Sequence, residues 1–420
     1  MKTNTPRLSS LGLALLASAA LQLHAQTWQI VYDSSSYDLT GPCGDIGTDA
    51  SGNVFAVGRH IAADGSSVAI VQGSADQGAT WQPLDQYALS GLNHAYNRAF
   101  AANGATGSLL AGGNLNNLLP NGTYQYDTLW FIREWNPATG QWMTVDDSSA
   151  LANDVGQASC ADILVAPNGD VYATGGGQLG TGLGWVVRKR TAGASAFATV
   201  DADYSGKTSG AGSDIAFHAG YGMFVVGDRN GYWTVRRSSN GESGTWQTVD
   251  TFQTRRDWGN GSASGITVAP SGNIFVAGSA YNFTTGKQHW VVRSSADGGA
   301  TWAIADNVTS ATGTVAEAFG IVADPAGKIY VCGRVDGGNG YHWIVRRGQQ
   351  VQKTSIVKGK KVITWVWEWT TIDDYQLEPG KNSRANAIAI DAAGNVFAGG
   401  SGLDASEVQR FVVRKLPAQP

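Results

Sequence analysis

Charge is scarce in this chain. Asp, Glu, Lys and Arg together make up 15% of its 420 residues, and the net charge is −4. A disordered chain needs more charge and fewer aromatics than this. A nucleic-acid binder needs a basic patch, and the balance here is acidic. The same sign gives no reason to expect an anionic membrane as partner. Cysteine is rarer still, with Cys43, Cys160 and Cys332 only. An odd count of three excludes a disulfide framework. Cys332 lies in the run Ile329-Tyr330-Val331-Cys332-Gly333 and is expected to be a buried small hydrophobe. Cys43 and Cys160 fall at equivalent repeat positions two repeats apart, too distant to bond. Beyond residue 25 the histidines are His60, His94, His218, His289 and His342, without metal-ligand spacing. No nucleophile elbow, phosphate loop, dinucleotide fingerprint or calcium loop occurs. Neither a metal nor a cofactor is expected. One long apolar run exists, Leu8 to Leu23, preceded by Lys2 and Arg7 and ending Leu23-His24-Ala25. Residues 1–25 therefore read as a signal peptide cut after Ala25. The product is expected to be secreted, periplasmic or at the cell surface, with no membrane span.

What is abundant is glycine, at 56 residues, together with 10% aromatics. The glycines are periodic. Seven segments share an apolar strand, a Gly-Asn-type turn and a second strand ending in glycine. The clearest is Gly265-Ile266-Thr267-Val268-Ala269-Pro270-Ser271-Gly272-Asn273-Ile274-Phe275-Val276-Ala277-Gly278. The closing glycines are Gly58, Gly113, Gly175, Gly227, Gly278, Gly333 and Gly400, spaced 51 to 67 residues apart; periods near 50 residues mark propellers and related arrays. A third strand follows with a Trp-x-Val-Arg pattern, as in Trp185–Arg188 and Trp290–Arg293. A fourth reads Trp-x-x-Val-Asp, as in Trp142–Asp146 and Trp246–Asp250. Four strands per repeat make one propeller blade. The last repeat stops after its third strand at Arg414-Lys415, whereas Thr27-Trp28-Gln29-Ile30-Val31 reads as a fourth strand with nothing before it. Joining the two removes an open edge. The expectation is an all-β, seven-bladed β-propeller spanning residues 26–420 as one domain. Each blade has four antiparallel strands, and the N-terminal strand closes the C-terminal blade.

Two repeats carry Ser74-x-Asp76-x-Gly78-x-Thr80-Trp81 and Ser295-x-Asp297-x-Gly299-x-Thr301-Trp302. A degenerate copy runs from Ser239 to Trp246, with Gly241 and Ser243 at the Asp and Gly positions. This motif resembles the Asp-box of sialidase-type propellers and their non-sialidase relatives, and the Gly-Asn-Val-Phe hairpins resemble the propeller repeats of secreted bacterial proteins. The resemblance implies a structural turn between third and fourth strands, on the face away from any active site. It also implies that a sialidase would carry an early Arg-Ile-Pro motif, and none is present.

The candidate functional residues are those that break the repeat. First strands begin with Asp45, Asp162 and Asp214 in three repeats, with Arg98, Glu317, Arg384 and Asn386 beside the corresponding positions in others. A mixed ring of carboxylates and guanidiniums would hold a polar ligand or perform acid–base chemistry, with Asp162, Asp214 or Glu317 as acid or base. The plainer reading is that these groups bond loop amides or line a wet channel. The recurring Arg133, Arg188, Arg236, Arg293, Arg346 and Arg414 read as structural, satisfying polar groups near the Asp-box turn. Of fifteen tryptophans, four stand outside the repeat: Trp135, Trp258, Trp365 and Trp367. Trp258, in the inter-blade loop Arg255-Arg256-Asp257-Trp258, is the foremost ligand-contact candidate. Residues 349–368 read as a protruding Lys-rich hairpin. The function expected is a monomeric, non-enzymatic module that binds a glycan, peptide or protein across the channel mouth. The alternatives are a sialidase-like glycoside hydrolase or lyase and a structural surface protein.

Overall fold

A computed structural model describes residues 27–37, 40–117, 129–147, 158–179, 182–203, 210–252, 257–357 and 360–418. The expected signal peptide and the Arg255-Arg256 pair lie outside the described residues. The strands, in chain order, are β1 (Gln29–Asp33), β2 (Cys43–Thr48), β3 (Val54–Ile61), β4 (Ser67–Ser74), β5 (Gln82–Tyr87), β6 (His94–Asn103), β7 (Ser108–Asn116), β8 (Leu129–Asn136) and β9 (Gln141–Asp147). Next come β10 (Ser159–Val165), β11 (Val171–Leu179), β12 (Gly182–Arg190), β13 (Ala198–Asp203), β14 (Gly210–His218), β15 (Gly222–Arg229), β16 (Tyr232–Ser238) and β17 (Gln247–Phe252). The remainder are β18 (Trp258–Val268), β19 (Ile274–Asn282), β20 (Lys287–Ser295), β21 (Ala303–Val308), β22 (Ala316–Ala323), β23 (Ile329–Asp336), β24 (Tyr341–Val357), β25 (Lys360–Tyr375), β26 (Ser383–Ile390), β27 (Val396–Leu403) and β28 (Gln409–Leu416).

Four sheets are plain four-stranded meanders: β10–β13, β14–β17, β18–β21 and β22–β25. A fifth holds β26, β27 and β28, and its outer strand is β1, paired antiparallel from Gln29↔Lys415 to Asp33↔Val412. The opposite ends of the chain thus share one sheet. The first strands pack on one another in a closed cycle: β2 on β6, β6 on β10, β10 on β14, β14 on β18, β18 on β22, β22 on β26 and β26 on β2. Sheets arranged around a channel lined by their first strands make a β-propeller.

The sheet count departs from expectation. β2–β5 and β6–β9 are joined by one parallel pair, Ser67↔His94, so the described residues hold six sheets, one of them eight-stranded. The reason is a missing aromatic. On the third strand, the position opposite the residue after the repeat glycine holds Trp130, Trp185, Trp233, Trp290, Trp343 or Phe411. In β4 it holds Ala69. Large aromatics at this position wedge successive sheets apart. With only Ala69 in the way, β4 and β6 approach closely enough for the Ser67 amide to reach the Asn93 carbonyl at 2.9 Å.

The repeat glycines are required first by a close backbone carbonyl, which a Cβ would overlap at all seven, and at every one but Gly113 also by an aromatic of the preceding repeat. A Cβ on Gly278 would lie 2.7 Å from Trp233 Cζ3 of the preceding sheet and would overlap the Ser262 carbonyl. Only glycine lets that ring lie flat on the strand. Trp233, Trp290 and Trp343 are accordingly fully buried.

The recurring arginines have a definite partner, though not the expected one. Each reaches the fourth-strand aspartate of the preceding sheet. Arg188 donates Nε and Nη2 to Asp146 at 2.7 Å each. Arg236 grips Asp201 at 2.7 and 2.8 Å, and Arg414 grips Asp373 at 2.9 and 2.8 Å. Arg133–Asp85 and Arg346–Asp306 repeat the fork, and Arg293 makes a single 3.0 Å contact with Asp250. Forked guanidinium–carboxylate pairs fix orientation as well as charge. At the junction of the β1 sheet with β2–β5, neutral groups take both places. Gln72 stands opposite Ala56 where the arginine would be, and Tyr32 stands opposite Val413 where the aspartate would be. Tyr32 packs edge-on against Trp81 and Phe411, with centroids 5.5 and 5.3 Å apart.

The Ser74 and Ser295 turns are built alike. Asp76 accepts from the Thr80 amide and hydroxyl at 2.7 Å each, Ser74 Oγ accepts from the Gly78 amide at 2.8 Å, and Trp81 Nε1 donates to the Gly78 carbonyl at 3.1 Å. Asp297, Ser295, Gly299, Thr301 and Trp302 repeat these bonds. In the degenerate copy the register is one residue earlier than expected. Ser238 takes the serine role by accepting from the Gly241 amide, and Asn240 replaces the aspartate by accepting from Thr245 Oγ1.

The buried fork gives a clear expectation. Arg188→Ala leaves Asp146 desolvated and unpaired, at a cost of about 3–5 kcal/mol in denaturant unfolding. Arg188→Met with Asp146→Leu is expected to recover most of that loss. A double variant as unstable as the sum of its singles would show that the pair is not what matters at this junction.

Candidate functional site

The channel is formed where the first strands converge, and every one of them carries a β-bulge at the same height. The shifts fall between Cys43 and Asp45, Asn97 and Ala99, Cys160 and Asp162, Gly212 and Asp214, Ala263 and Gly265, Ala318 and Ile321, and Ala385 and Ala387. Bulges re-aim side chains. The skipped residues Gly44, Arg98, Ala161, Ser213, Ser264, Phe319 and Asn386 all line one cavity of about 1360 Å³. Asp45, Asp162, Asp214 and Arg384 line it too.

The three aspartates are used by the fold. Asp45 Oδ2 accepts the Phe100 amide at 2.8 Å, Asp162 Oδ2 the Ile215 amide at 3.1 Å, and Asp214 Oδ2 the Ile266 amide at 2.7 Å. Each donor belongs to a later first strand, so each carboxyl ties one first strand to another. Asn386 does the same in the opposite direction, donating Nδ2 to the Cys43 carbonyl at 2.6 Å. Burial is the main influence on the acids. It pushes Asp45 up to about 7, against the pull of the Ile46 and Phe100 amides and with a push from Asp214. Burial also raises Asp162, whose carboxyl is further raised by the charge and the hydrogen bond of Asp214. Asp214 is raised by burial in turn, with the Asp162 carboxyl and two amides opposing. Like charges in one enclosure cannot all ionise cheaply.

The cations gather separately. Arg98 and Arg384 both line the channel, with Tyr96 between their influences. Arg98 lies over the Tyr96 ring at 6.0 Å and Arg59 at 5.2 Å. Arg59 is engaged with His94 Nε2 at 2.5 Å. Glu317 is paired: it accepts Arg334 Nε at 2.7 Å, and Arg334 stacks on Tyr341 at 4.2 Å. Arg384 also lines a smaller cavity of about 240 Å³ with Arg334, Tyr341, Asn382, Ser401 and Gln409. Among the described residues, neither Arg98 nor Arg384 has a salt-bridge partner, and the Arg384 Nε is buried with no acceptor. Burial first, then neighbouring Arg334 and Arg98, lowers Arg384 below the usual guanidinium value against the pull of Tyr96 and Glu317.

Trp258 is a correction. It begins strand β18 rather than sitting in a loop, and it is 8% exposed. Its ring packs on Phe252 and His289 at 5.2 and 5.3 Å. It offers no face to a ligand. Arg334, Tyr96 and Tyr341 were not singled out from the sequence. Arg334 directly follows the repeat glycine Gly333, a position that holds Arg59, Asn114, Gly176, Asp228, Ser279 and Ser401 in the other repeats, so the repeat pattern does not single it out.

No family model matches the chain, and no curated protein sequence does. Solved structures resemble it distantly. A protein of unknown function from Dyadobacter fermentans shares 10% identity over 94% of this chain and 98% of its own, with a TM-score of 0.48. An α-L-arabinanase from Penicillium chrysogenum, complexed with arabinobiose, shares 13% over 93% and 98%, with a TM-score of 0.47. An intramolecular trans-sialidase from Ruminococcus gnavus shares 13% over 91% and 96%, also with a TM-score of 0.47. At such identities the chemistry of those proteins stays with them.

The raised carboxyls carry a pH signature. A carboxyl raised by folding stabilises the fold below its unfolded value near 4, and that contribution is lost as pH rises through its folded value. For Asp45 the window runs from about 4 to about 7. Asp45→Asn stays neutral throughout. Its melting temperature relative to wild type is expected to rise by at least about 2 °C between pH 4 and pH 8. A difference that is flat or falling with pH would contradict the assignment.

Proposed function

We propose that this chain is an exported, seven-bladed β-propeller that binds an anionic, carboxylate-bearing glycan at its channel mouth without hydrolysing it. The blade count follows from treating the eight-stranded sheet as two blades bridged at Ser67 and His94, since seven first strands complete the cycle. Export rests on the residue 1–25 pattern alone. The Ser74 and Ser295 turns support the Asp-box resemblance. Antiparallel order puts them at the end of the ring opposite the starts of the first strands, away from the mouth.

One observation carries the reading. Arg384 is half-buried, next to Arg98 and Arg334, with an unsatisfied Nε and no ion-pair partner among the described residues, because its nearby acid, Glu317, is held by Arg334. Enclosing a guanidinium without a counter-charge is costly, and an arriving carboxylate removes that cost. Polar groups from Asn382, Ser401 and Gln409 beside it suit a hydroxyl-rich ligand. A hydrolase is less well supported, because Asp45, Asp162 and Asp214 each accept an amide from another strand and Glu317 is held by Arg334.

Binding of a uronic-acid oligosaccharide and of its carboxyl-reduced counterpart would be measured by calorimetry. The charged form is expected to bind, and Arg384→Ala to weaken it about tenfold or more. Equal affinity for both forms would defeat the anion reading. Product formation from the oligosaccharide that is abolished by Asp162→Asn would support the hydrolase instead.

A further inference from the structure

The hairpin of β24 and β25 has no counterpart elsewhere in the ring. Its strands are 17 and 16 residues long, against 9 or fewer for every other third or fourth strand described. They stay paired without interruption from Arg346↔Thr371 out to Val357↔Lys360. The extra length is thus a continuation of the sheet past the ring, not a separate insertion.

Side chains on β25 alternate between two faces. One face presents Trp369, Trp367, Trp365 and Ile363 in succession. The first two are half-buried. Trp367 meets Phe275 of β19 edge-on with centroids 4.8 Å apart, and both Trp367 and Trp369 join the core of the adjoining sheet. There the cover ends. Trp365 is 60% exposed, Ile363 51% and Ile356 69%. Ile356 pairs with Lys361 and Thr354 with Ile363, so these groups share the Trp365 face. Lys361 is exposed on this same face, and Lys353 and Lys360 are exposed on the opposite face of the same hairpin end. The one acid nearby, Glu368, lies at the base, 3.1 Å from Lys353. Residues 351–370 contain four lysines and one glutamate, a local charge of +3 on a chain of net −4.

We propose that the tip of this hairpin docks on an anionic phospholipid surface, inserting Ile356, Ile363 and Trp365 at the level of the headgroups with the lysines on the phosphates. The combination selects the partner. Exposed aliphatics need an apolar phase, tryptophan favours the membrane–water interface, and lysine extends its charge to the headgroups. A purely acidic soluble partner would use the lysines but leave both isoleucines uncovered. A second copy would bring one +3 tip against another. The acidic whole-chain balance argues against membrane affinity, and the hairpin reverses that sign locally.

Co-sedimentation with phosphatidylcholine vesicles containing 25% phosphatidylglycerol tests the proposal. Wild type is expected to bind them, to bind pure phosphatidylcholine vesicles poorly, and to be released by salt. Lys360→Glu with Lys361→Glu is expected to lower partitioning about tenfold or more. Ile356→Ser with Ile363→Ser and Trp365→Ser is expected to lower it comparably with little change in melting temperature, because these side chains are more exposed than buried and join none of the buried clusters. Arg384→Ala is expected to partition like wild type, which separates this site from the channel mouth. The proposal is overturned if wild type ignores anionic vesicles, if either tip variant binds undiminished, or if the tip variants instead abolish a concentration-dependent dimer.

Discussion

The architecture depends on a repeated ion pair that crosses from sheet to sheet. A third-strand arginine, buried by the sheet before its own, closes on that sheet's fourth-strand aspartate, and five of the six pairs are forked. A fork resists rotation as well as separation, so each pair sets the angle between neighbouring sheets. Buried charges of this kind add little net stability, but half a pair is expensive. Burial raises Asp146 and Asp373 even beside their arginines, and it lifts Asp250, with its single contact, to about 6. The pairs are better understood as fixing geometry than as supplying free energy. Where the chain ends meet, Tyr32 and Gln72 fill the same space without charge, and an aromatic cluster with Trp81 and Phe411 takes over the contact.

That geometry determines what the channel can do. Holding the sheets at fixed angles brings seven bulged first strands to one axis, and the bulges present their extra residues to the cavity. Three aspartates are then drawn into holding strand to strand, which leaves acids of raised affinity for protons and little freedom to act on a substrate. The arginines at the mouth are under the opposite condition. Arg334 is satisfied by Glu317, whereas the half-buried Arg384 feels that acid without bonding it and keeps an unsatisfied Nε. The contrast between carboxylates that accept strand amides and a guanidinium without an ion-pair partner is the observation on which the proposed binding role rests.

The sequence made the strand order, the Gly–Trp–Arg–Asp periodicity and the joining of β1 to β28 readable, because each follows from a local pattern repeated many times. What it hid were pairings across repeats. Asp45 reads equally well as a catalytic acid or as an acceptor for Phe100, and only the packing of β2 on β6 decides. Trp258 looked like a loop residue because its neighbours are polar, yet strand β18 starts there and buries it against Phe252. The Ser67–His94 bridge depends on Ala69 being small, an effect of absent volume that no motif records. In the Ser238 turn the aspartate's counterpart is Asn240, one residue before the Gly241 reached by counting back from Trp246, because this turn is one residue longer than the other two.

The claim on which the rest stands is that β1 completes the sheet of β28 and so seals the ring. Gln29 and Lys415 are direct cross-strand partners, and opposed Cβ atoms about 4.5–5.5 Å apart are close to disulfide geometry. The native thiols at Cys43, Cys160 and Cys332 are buried and do not compete. Oxidation of the Gln29→Cys, Lys415→Cys variant, followed by mass spectrometry of its peptides, is expected to give a 29–415 link in folded protein. Free thiols at both positions under the same oxidation, in protein that melts as wild type does, would mean the ring is not closed in this way.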